Sequence, residues 1–293
     1  MSDLEITSLQ GCPIAHRYAE VSPGVRLHYV EAGEGPLVVL LHGFPEFWYG
    51  FRNQIPALAA AGFRVVAPDM RGYNHSSRPA DVGAYTSKLL AADIAGLIRA
   101  CGEERADVVG HDWGAGVAWS FAMAYPERLR RLAILNGPHP LGLMRAFVTS
   151  PRQLARSWYM AFFQLPVVPE RVMARDDHAI LLAAFRKEAR PGAFTTTDLA
   201  LYREAFAQPG ALTAMVNYYR AMRHPSGMVR PAKVEAPVLV LWGDRDQHLG
   251  RELAHPPERY VPRATVVHLP AASHWVQHDA ADEVNERLTS FLR

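Results

Sequence analysis

The chain has 293 residues, of which 49% are hydrophobic and 20% charged, with a formal net charge of +2. These values are typical of a folded globular protein of one or two domains and exclude intrinsic disorder. They also argue against a nucleic-acid-binding surface, and no apolar run is long enough to cross a membrane. With only two cysteines and no signal-peptide pattern, we expect a cytoplasmic protein without nucleic-acid or membrane partners. The sequence is compatible with a homodimer.

The first 137 residues alternate short β-branched runs with longer helix-like segments. The runs predicted as strands are 25–30, 37–41, 63–67, 107–109 and 132–135. The segments predicted as helices between them are 53–61, 89–100 and 114–124. This alternation is typical of a parallel sheet with crossover helices.

The next segment, 138–230, is rich in aromatic residues and Arg and has no strand pattern. We predict helices between its prolines, which include Pro151, Pro166, Pro169, Pro191, Pro209 and Pro225. Strands are then predicted at 237–242 and 265–269, with a closing helix at 275–292. We therefore predict an α/β core domain formed by 1–137 and 231–293, with an inserted helical lid, or cap domain, at 138–230.

The predicted lid carries more positive charge than the rest of the chain. It has 12 basic and 6 acidic residues, whereas the remainder has 19 basic and 23 acidic residues. Complementary docking of the lid on the core accounts for this division, with steering of anionic substrates as the alternative.

The clearest chemical signal is a predicted strand that leads through Gly110, Asp112 and Gly114 into an Ala-rich helix. In a nucleophile elbow, glycines flank a residue on a strained strand-to-helix turn. The familiar elbow carries Ser, so an ordinary serine esterase is excluded here. A carboxylate is ionised at neutral pH and attacks without a base. Asp112 is therefore the candidate nucleophile, and capping of the following helix is the alternative.

Attack by a carboxylate leaves an ester, and its hydrolysis needs a base held by an acid. In folds with this elbow the order along the chain is nucleophile, acid and His. Asp246 follows the predicted strand 237–242, and His274 follows the predicted strand 265–269. They are the candidates for the acid and the base. Asp244 is the competing acid, with a structural salt bridge as its other use.

Two further histidines lie close to His274 in the sequence. His278 is one helical turn beyond it, but no third ligand accompanies the pair, so we predict no metal site. His268 lies within a predicted strand and is expected to be a packed residue.

A His-Gly-Phe-Pro run occupies 42–45, directly after the predicted strand 37–41. A loop at this place directs a backbone N–H at a developing oxyanion, together with the N–H that follows the nucleophile. We therefore predict the amides of Phe44 and Trp113 as the oxyanion hole. Both side chains, with those of His42 and Pro45, are expected to line the substrate site.

Four segments together resemble the soluble, microbial-type epoxide hydrolases of the α/β hydrolase fold. They are HGFPEFWY at 42–49, DMRGY at 69–73, GHDWG at 110–114 and WYMAFFQLP at 158–166. The resemblance extends from about Val25 to the C-terminus. It implies an α/β hydrolase fold with a mostly parallel sheet and a helical cap, no metal or organic cofactor, and an epoxide and water as the small-molecule partners.

The resemblance also implies two lid tyrosines that donate hydrogen bonds to the epoxide oxygen. The matching positions are Tyr159 and Tyr219, with Tyr218 as the rival for the second. A phenol keeps its proton at neutral pH and can donate it to a developing alkoxide.

The implied reaction begins with ring opening by Asp112, and water activated by His274 and Asp246 then hydrolyses the hydroxyalkyl ester to a diol.

A haloalkane dehalogenase is the nearest alternative, because it shares the fold and the Asp nucleophile and Trp113 offers an indole donor to a halide. That family usually has an amide or indole donor where Phe44 stands. A ligand-binding protein without turnover is the third alternative, and it would be expected to lack one member of the triad.

Overall fold

The computed structural model describes residues 3–224 and 227–293, so Pro225 lies outside the described residues. Within them, the strands are β1 (Ser8–Leu9), β2 (Cys12–Pro13), β3 (Ala15–Ser22), β4 (Val25–Ala32), β5 (Leu37–Leu41), β6 (Arg64–Pro68), β7 (Ala106–His111), β8 (Leu129–Leu135), β9 (Val238–Gly243) and β10 (Ala264–Leu269).

The helices of the described residues are α1 (Gln54–Ala60), α2 (Ser87–Ala100), α3 (Trp113–Ala124), α4 (Pro140–Thr149), α5 (Pro151–Arg156), α6 (Trp158–Phe162), α7 (Val168–Ala174), α8 (Ala179–Glu188), α9 (Thr196–Ala207), α10 (Ala211–Ala221), α11 (Val276–Asp279) and α12 (Ala281–Leu292). Short 3-10 turns occur between them, as at Trp48–Phe51.

Eight of the strands form one sheet in the order β10-β9-β8-β7-β5-β6-β4-β3. The strands from β10 to β6 pair in parallel, and β4 and β3 continue the sheet antiparallel. Every residue of β5 is buried, as in a strand that is covered on both faces. The predicted fold class, a mostly parallel α/β sheet flanked by helices, is confirmed.

The boundaries of several elements differ from the sequence prediction. The pattern did not predict β3, an edge strand in which only Ala19 and Val21 are buried. The sequence prediction also missed the short strands β1 and β2, and most other predicted bounds shift by one or two residues. The strand predicted at 132–135 begins three residues earlier, at Leu129. The single closing helix predicted at 275–292 is wrong, because Ala280, at φ −130° and ψ 44°, leaves the helical conformation and separates α11 from α12.

Seven helices, α4 to α10, lie between β8 and β9 in the chain, and the described part of 138–230 contains no strand. Three of the prolines there occupy first turns, where the missing N–H costs no hydrogen bond: Pro140 in α4, Pro151 in α5 and Pro169 in α7. The predicted helices between prolines are thus confirmed for the described residues. None of the helices in the described ranges has the length and apolar character needed to cross a membrane.

Candidate active site

The turn between β7 and α3 holds Asp112 in a strained conformation, at φ +51° and ψ −117°. Its neighbours leave no room for larger residues. A Cβ on Gly114 would lie 2.0 Å from the carbonyl oxygen of Leu41, and a Cβ on Gly43 would lie 2.4 Å from the Cβ of Asp112. The strand, the glycines and the helix predicted for the elbow are therefore all present.

The two carboxylate oxygens of Asp112 face different partners. The backbone N–H of Phe44 donates to Oδ1 at 2.8 Å. Oδ2 lies 3.6 Å from Nε2 of His274. Trp113, whose N–H was predicted as the second oxyanion donor, is the first residue of α3. One oxygen is thus held by the loop that follows β5, while the other faces the imidazole.

A buried carboxylate contacts the ring nitrogen of His274 that faces away from Asp112. Nδ1 of His274 lies 2.7 Å from Oδ2 of Asp246, which also accepts a hydrogen bond from the side-chain amide of Asn136 at 2.8 Å. The other oxygen, Oδ1, accepts the backbone N–H groups of His248 at 2.7 Å and Leu249 at 2.9 Å. Because an ionised carboxylate only accepts, Nδ1 carries the proton and Nε2 is directed at Asp112.

The charges of the two Asp residues control the protonation of His274. Burial alone raises the pKa of Asp246, but the charge and hydrogen bond of His274 outweigh it and lower the pKa to about 2. Burial likewise lowers the pKa of His274, whereas Asp246, and then Asp112, raise it to about 9. An imidazolium therefore lies between two carboxylates, and neutralising Asp112 would lower the pKa of His274 again.

Two tyrosines of the helical segment lie near this group. The ring centroid of Tyr219, on α10, is 5.9 Å from that of Tyr159, on α6, and 5.0 Å from that of Trp113. Burial raises the pKa of both phenols, and the charge of Asp112 adds to the rise. Both phenols therefore remain protonated at neutral pH.

Tyr218, the rival of Tyr219, faces another way. Its hydroxyl donates to the backbone carbonyl of Arg71 at 2.7 Å, and the side chain is buried. Neither Tyr159 nor Tyr219 donates to an acceptor among the residues described. Of the two neighbours on α10, only Tyr219 has a hydroxyl that is free to donate.

The loop after β5 is fixed by its own side chains. His42 is buried, its Nε2 accepts the backbone N–H of Met70 at 2.9 Å, and its Nδ1 lies 3.0 Å from the Gly43 carbonyl oxygen. The Phe44–Pro45 peptide bond is cis, and Pro45 is buried. The Phe44 ring packs edge-on against the ring of Tyr219, with centroids 5.6 Å apart.

Sequence reasoning missed a buried polar cluster beneath these loops, centred on Glu46. Oε1 of Glu46 accepts from the hydroxyl of Tyr202 and from Nε2 of His278, both at 2.8 Å, and Oε2 accepts from the Gln277 amide at 2.9 Å. Nδ1 of His111 lies 3.2 Å from Oε2. Burial raises the pKa of Glu46, but its interactions with His278 and His111 outweigh burial and hold it well below its usual range.

The cluster continues from the core to the helical segment. Arg52 donates to Nδ1 of His278 at 3.0 Å and to the carbonyl of Ala193 at 2.8 Å, and its Nε lies 3.3 Å from Asp198 on α9. The hydroxyl of Tyr49 also donates to Asp198, at 2.9 Å. Burial, and then the charge of Arg52, lower the pKa of His278 to about 4. His278 thus links two charged groups as a neutral imidazole.

The cluster also contacts both loops that carry the candidate catalytic residues Asp112 and His274. His111, the residue before Asp112, lies with its Nε2 2.9 Å from the backbone carbonyl of His274, and because a carbonyl only accepts, this nitrogen is the donor. Gln277 and His278 follow His274 by three and four residues. The one clue in the sequence was Glu46 itself, a carboxylate inside the mostly apolar 42–49 run.

The other acid and histidines considered from the sequence have structural partners. Asp244, the competing acid, lies 2.6 Å from Nδ1 of His268 and 3.7 Å from Arg251, so its use is a salt bridge. The expectation that His268 is simply packed is wrong, because it is partly exposed and paired. His278 faces Glu46 and Arg52 rather than a site shared with His274. The described residues hold no group of three or more metal-ligating side chains.

Comparisons with known proteins show which proteins the chain is similar to. The family model for the alpha/beta hydrolase fold matches residues 36–281. The AB hydrolase superfamily protein YfhM of Bacillus subtilis is 44% identical over 92% of this chain and 95% of its own. Epoxide hydrolase 4 of Mus musculus is 38% identical over 95% of this chain and 79% of its own. The crystal structure of the Bacillus megaterium epoxide hydrolase with an inhibitor superposes with a TM-score of 0.86 at 35% identity, covering 94% of this chain and 99% of that one.

Proposed function

Since the chain belongs to the epoxide hydrolases of the α/β hydrolase fold, we propose that it converts an epoxide to a vicinal diol through an ester of Asp112. The observation that carries the proposal is the arrangement of the Asp112 carboxylate. Oδ1 is held by the amide of Phe44, while Oδ2 faces His274. One oxygen is thereby available to attack carbon, and the other is already in contact with a donor of the oxyanion hole.

We assign residues 1–137 and 231–293 to a core domain and 138–230 to a cap domain. The assignment is supported by the position of α4 to α10 between β8 and β9. Asp112, Asp246 and His274 then come from core loops, and Tyr159 and Tyr219 come from the cap. The substrate would bind between the two domains.

In the first step, Oδ2 of Asp112 attacks a ring carbon of the epoxide. The carbon–oxygen bond of the ring breaks, and its electron pair goes to the epoxide oxygen. Tyr159 and Tyr219 polarise that oxygen, and one of them transfers its proton to the alkoxide. The products are a hydroxyalkyl ester of Asp112 and a tyrosinate.

In the second step, Nε2 of His274 removes a proton from water, and the hydroxide attacks the ester carbonyl carbon of Asp112. Esterification has removed the charge on Asp112, so the pKa of His274 falls, the Nε2 proton of the imidazolium is released to solvent, and the neutral imidazole can act as a base. His274 takes up a proton again when the Asp112 carboxylate is restored. The amides of Phe44 and Trp113 stabilise the oxyanion at Oδ1. Collapse expels the diol oxygen with the proton from His274, and the new carboxyl group returns a proton to the tyrosinate.

The predicted substrate-site residues divide into one that supports the oxyanion loop and three that line the substrate site. Because both ring nitrogens of His42 contact the backbone, we assign it to holding the oxyanion loop rather than to contact with substrate. Phe44, Pro45 and Trp113 are proposed to line the substrate site, with the Phe44 and Trp113 rings packed against Tyr219.

A single turnover in ¹⁸O-water tests the proposed function. The protein in excess over an epoxide such as styrene oxide should give an unlabelled diol, because the new diol oxygen comes from Asp112. Mass spectrometry of the peptide that contains Asp112 should show one ¹⁸O. Label in the diol after the first turnover would instead indicate direct attack by water, and the absence of any diol from a panel of epoxides would refute the proposed activity.

Replacing Tyr219 or Tyr159 with Phe is expected to lower kcat/KM for epoxide opening by roughly 10²-fold, since each variant loses a proton donor to the alkoxide. Tyr218→Phe is the matched control, because its hydroxyl is bound to the Arg71 carbonyl. It should alter kcat/KM far less, and its effect should be on stability. A larger loss of activity in Tyr218→Phe than in Tyr219→Phe would reverse the assignment. Steady-state kinetics and thermal melts separate the two effects.

A further inference from the structure

An apolar surface lies on the outer side of α5 and α6. We call it the α5–α6 patch and define it by Leu154, Trp158, Phe162 and Leu165. The side chain of Trp158 is 66% exposed and that of Leu154 is 57% exposed, one helical turn apart. The Trp158 ring contacts the partly buried ring of Phe162, with centroids 6.0 Å apart. Single exposed apolar residues need no explanation, but a cluster with an exposed Trp indicates a binding surface.

The patch has a strongly one-sided charge. No Asp or Glu occurs from residue 128 to residue 169. The helices of the patch and the preceding α4, which packs on α5, carry three basic residues: Arg145, Arg152 and Arg156. The first two are exposed. Glu170, on α7, is the acidic residue beside Leu165, and it is paired with Arg220, whose guanidinium also donates to the Leu165 carbonyl. The arginines of α4 and α5 therefore leave a positive surplus around an apolar surface, which is complementary to an anionic and apolar partner.

A chain of aromatic contacts leads from the patch to the nucleophile. From Trp158 the contacts pass to Phe162, then to Phe163 at 5.9 Å between centroids, and then to Tyr219 at 4.8 Å. Phe163 also contacts Phe44 at 5.5 Å, the residue whose amide binds Asp112. The exposed surface and the reacting carboxylate are therefore joined by apolar rings.

The positive charge of the arginines beside the patch favours one of the two partners that could cover it, an anionic bilayer, over a second copy of the chain. A second copy related by two-fold symmetry would bring the same arginines towards each other, and like charges across a contact are unfavourable. The surface of an anionic bilayer offers negative headgroups to the arginines, while its interface accommodates Trp and Leu. Peripheral binding of this kind needs no membrane-spanning segment.

We propose that the α5–α6 patch docks on anionic lipid surfaces, and that lipophilic epoxides dissolved there reach Asp112 along the aromatic path. The docking is independent of the chemistry, whereas the choice of substrate rests on the proposed epoxide hydrolase function. Lipophilic epoxides concentrate in bilayers, so a patch beside the active site would deliver them without passage through water.

Sedimentation with vesicles tests the docking. The wild-type protein should bind vesicles of mixed phosphatidylcholine and phosphatidylserine, and bind far less to phosphatidylcholine alone or at high salt. The double variant Leu154→Ser, Trp158→Ser should lose roughly tenfold in binding, because it removes the apolar anchors. Ile180→Ser on α8 is the matched control, since Ile180 is 54% exposed but outside the patch, and it should bind as the wild type does.

Kinetics with two epoxides test the delivery. The double variant should hydrolyse a short, water-soluble epoxide at the wild-type rate, and a long-chain epoxide embedded in anionic vesicles roughly tenfold more slowly. Equal losses on both substrates would overturn delivery along the path. No binding by the wild type, or a concentration-dependent dimer that the double variant abolishes, would overturn lipid docking. Vesicle binding without hydrolysis of any epoxide would leave the docking intact and refute the proposed function.

Discussion

Replacing His274 with Gln should stop the reaction after ring opening and leave a covalent ester on Asp112. Gln cannot remove a proton from water at neutral pH, so the ester carbonyl is not attacked. The alkylation step needs only the carboxylate and the tyrosines, and it should still occur. We expect kcat to fall by roughly 10³- to 10⁴-fold, as for the loss of a general base in a catalytic triad.

The trapped species can be weighed by intact-protein mass spectrometry. An epoxide adds its whole mass to Asp112, whereas a haloalkane would add its mass less one halogen and one hydrogen. The mass gain therefore also decides between an epoxide hydrolase and a dehalogenase. Asp112→Ala should show neither turnover nor adduct, and His268→Gln, with its ring paired to Asp244, should behave as the wild type. Normal turnover without an adduct in His274→Gln would contradict the proposed mechanism.

Replacing Glu46 with Ala should have the largest effect on stability among single substitutions near the site. The change leaves the donors of Tyr202, Gln277 and His278 buried without their acceptor. Removing one partner from a buried ionic cluster costs about 3–5 kcal/mol, and for a chain of this size the melting temperature should fall by roughly 10 °C.

An exposed carboxylate provides the matched comparison for Glu46. Glu283 lies 3.5 Å from Arg287 on α12, and both side chains are about half exposed. Its replacement by Ala should change the free energy of unfolding by less than about 0.5 kcal/mol. Chemical denaturation of both variants measures the contrast. Similar unfolding energies for the two would show that the Glu46 cluster contributes little.

Most of the strands, the mostly parallel sheet and the placement of Asp112, Asp246 and His274 could be predicted because they depend on local patterns. The apolar run of β5 and the glycines around Asp112 follow from burial and backbone sterics. Asp246 and His274 follow the ends of β9 and β10, and parallel strands bring their carboxyl ends to one edge of the sheet. The structure accordingly places Asp246 against His274, and His274 near Asp112.

The Glu46 cluster could not be predicted, since it depends on the directions of side chains from distant elements. Its members come from the loop after β5, from the end of β7, from α9 and from α11, and no spacing in the sequence connects them. The same applies to Asn136, which binds Asp246 from the end of β8 at a φ of +38°. Asn adopts this backbone region more readily than most residues, which is a signal that only the structure makes visible.

Two contacts join α9 to the core, one between Arg52 and Asp198 and one between Tyr202 and Glu46. They limit the ways in which substrate could reach the proposed nucleophile. A hinge-like separation of α9 from the core would break these contacts and leave buried charges without their partners. The cost would be several kcal/mol. Access by local rotation of the partly exposed Phe162 ring breaks no ion pair. We therefore expect α9 to stay packed on the core throughout the catalytic cycle. Motions of aromatic rings on the nanosecond scale would then admit the substrate.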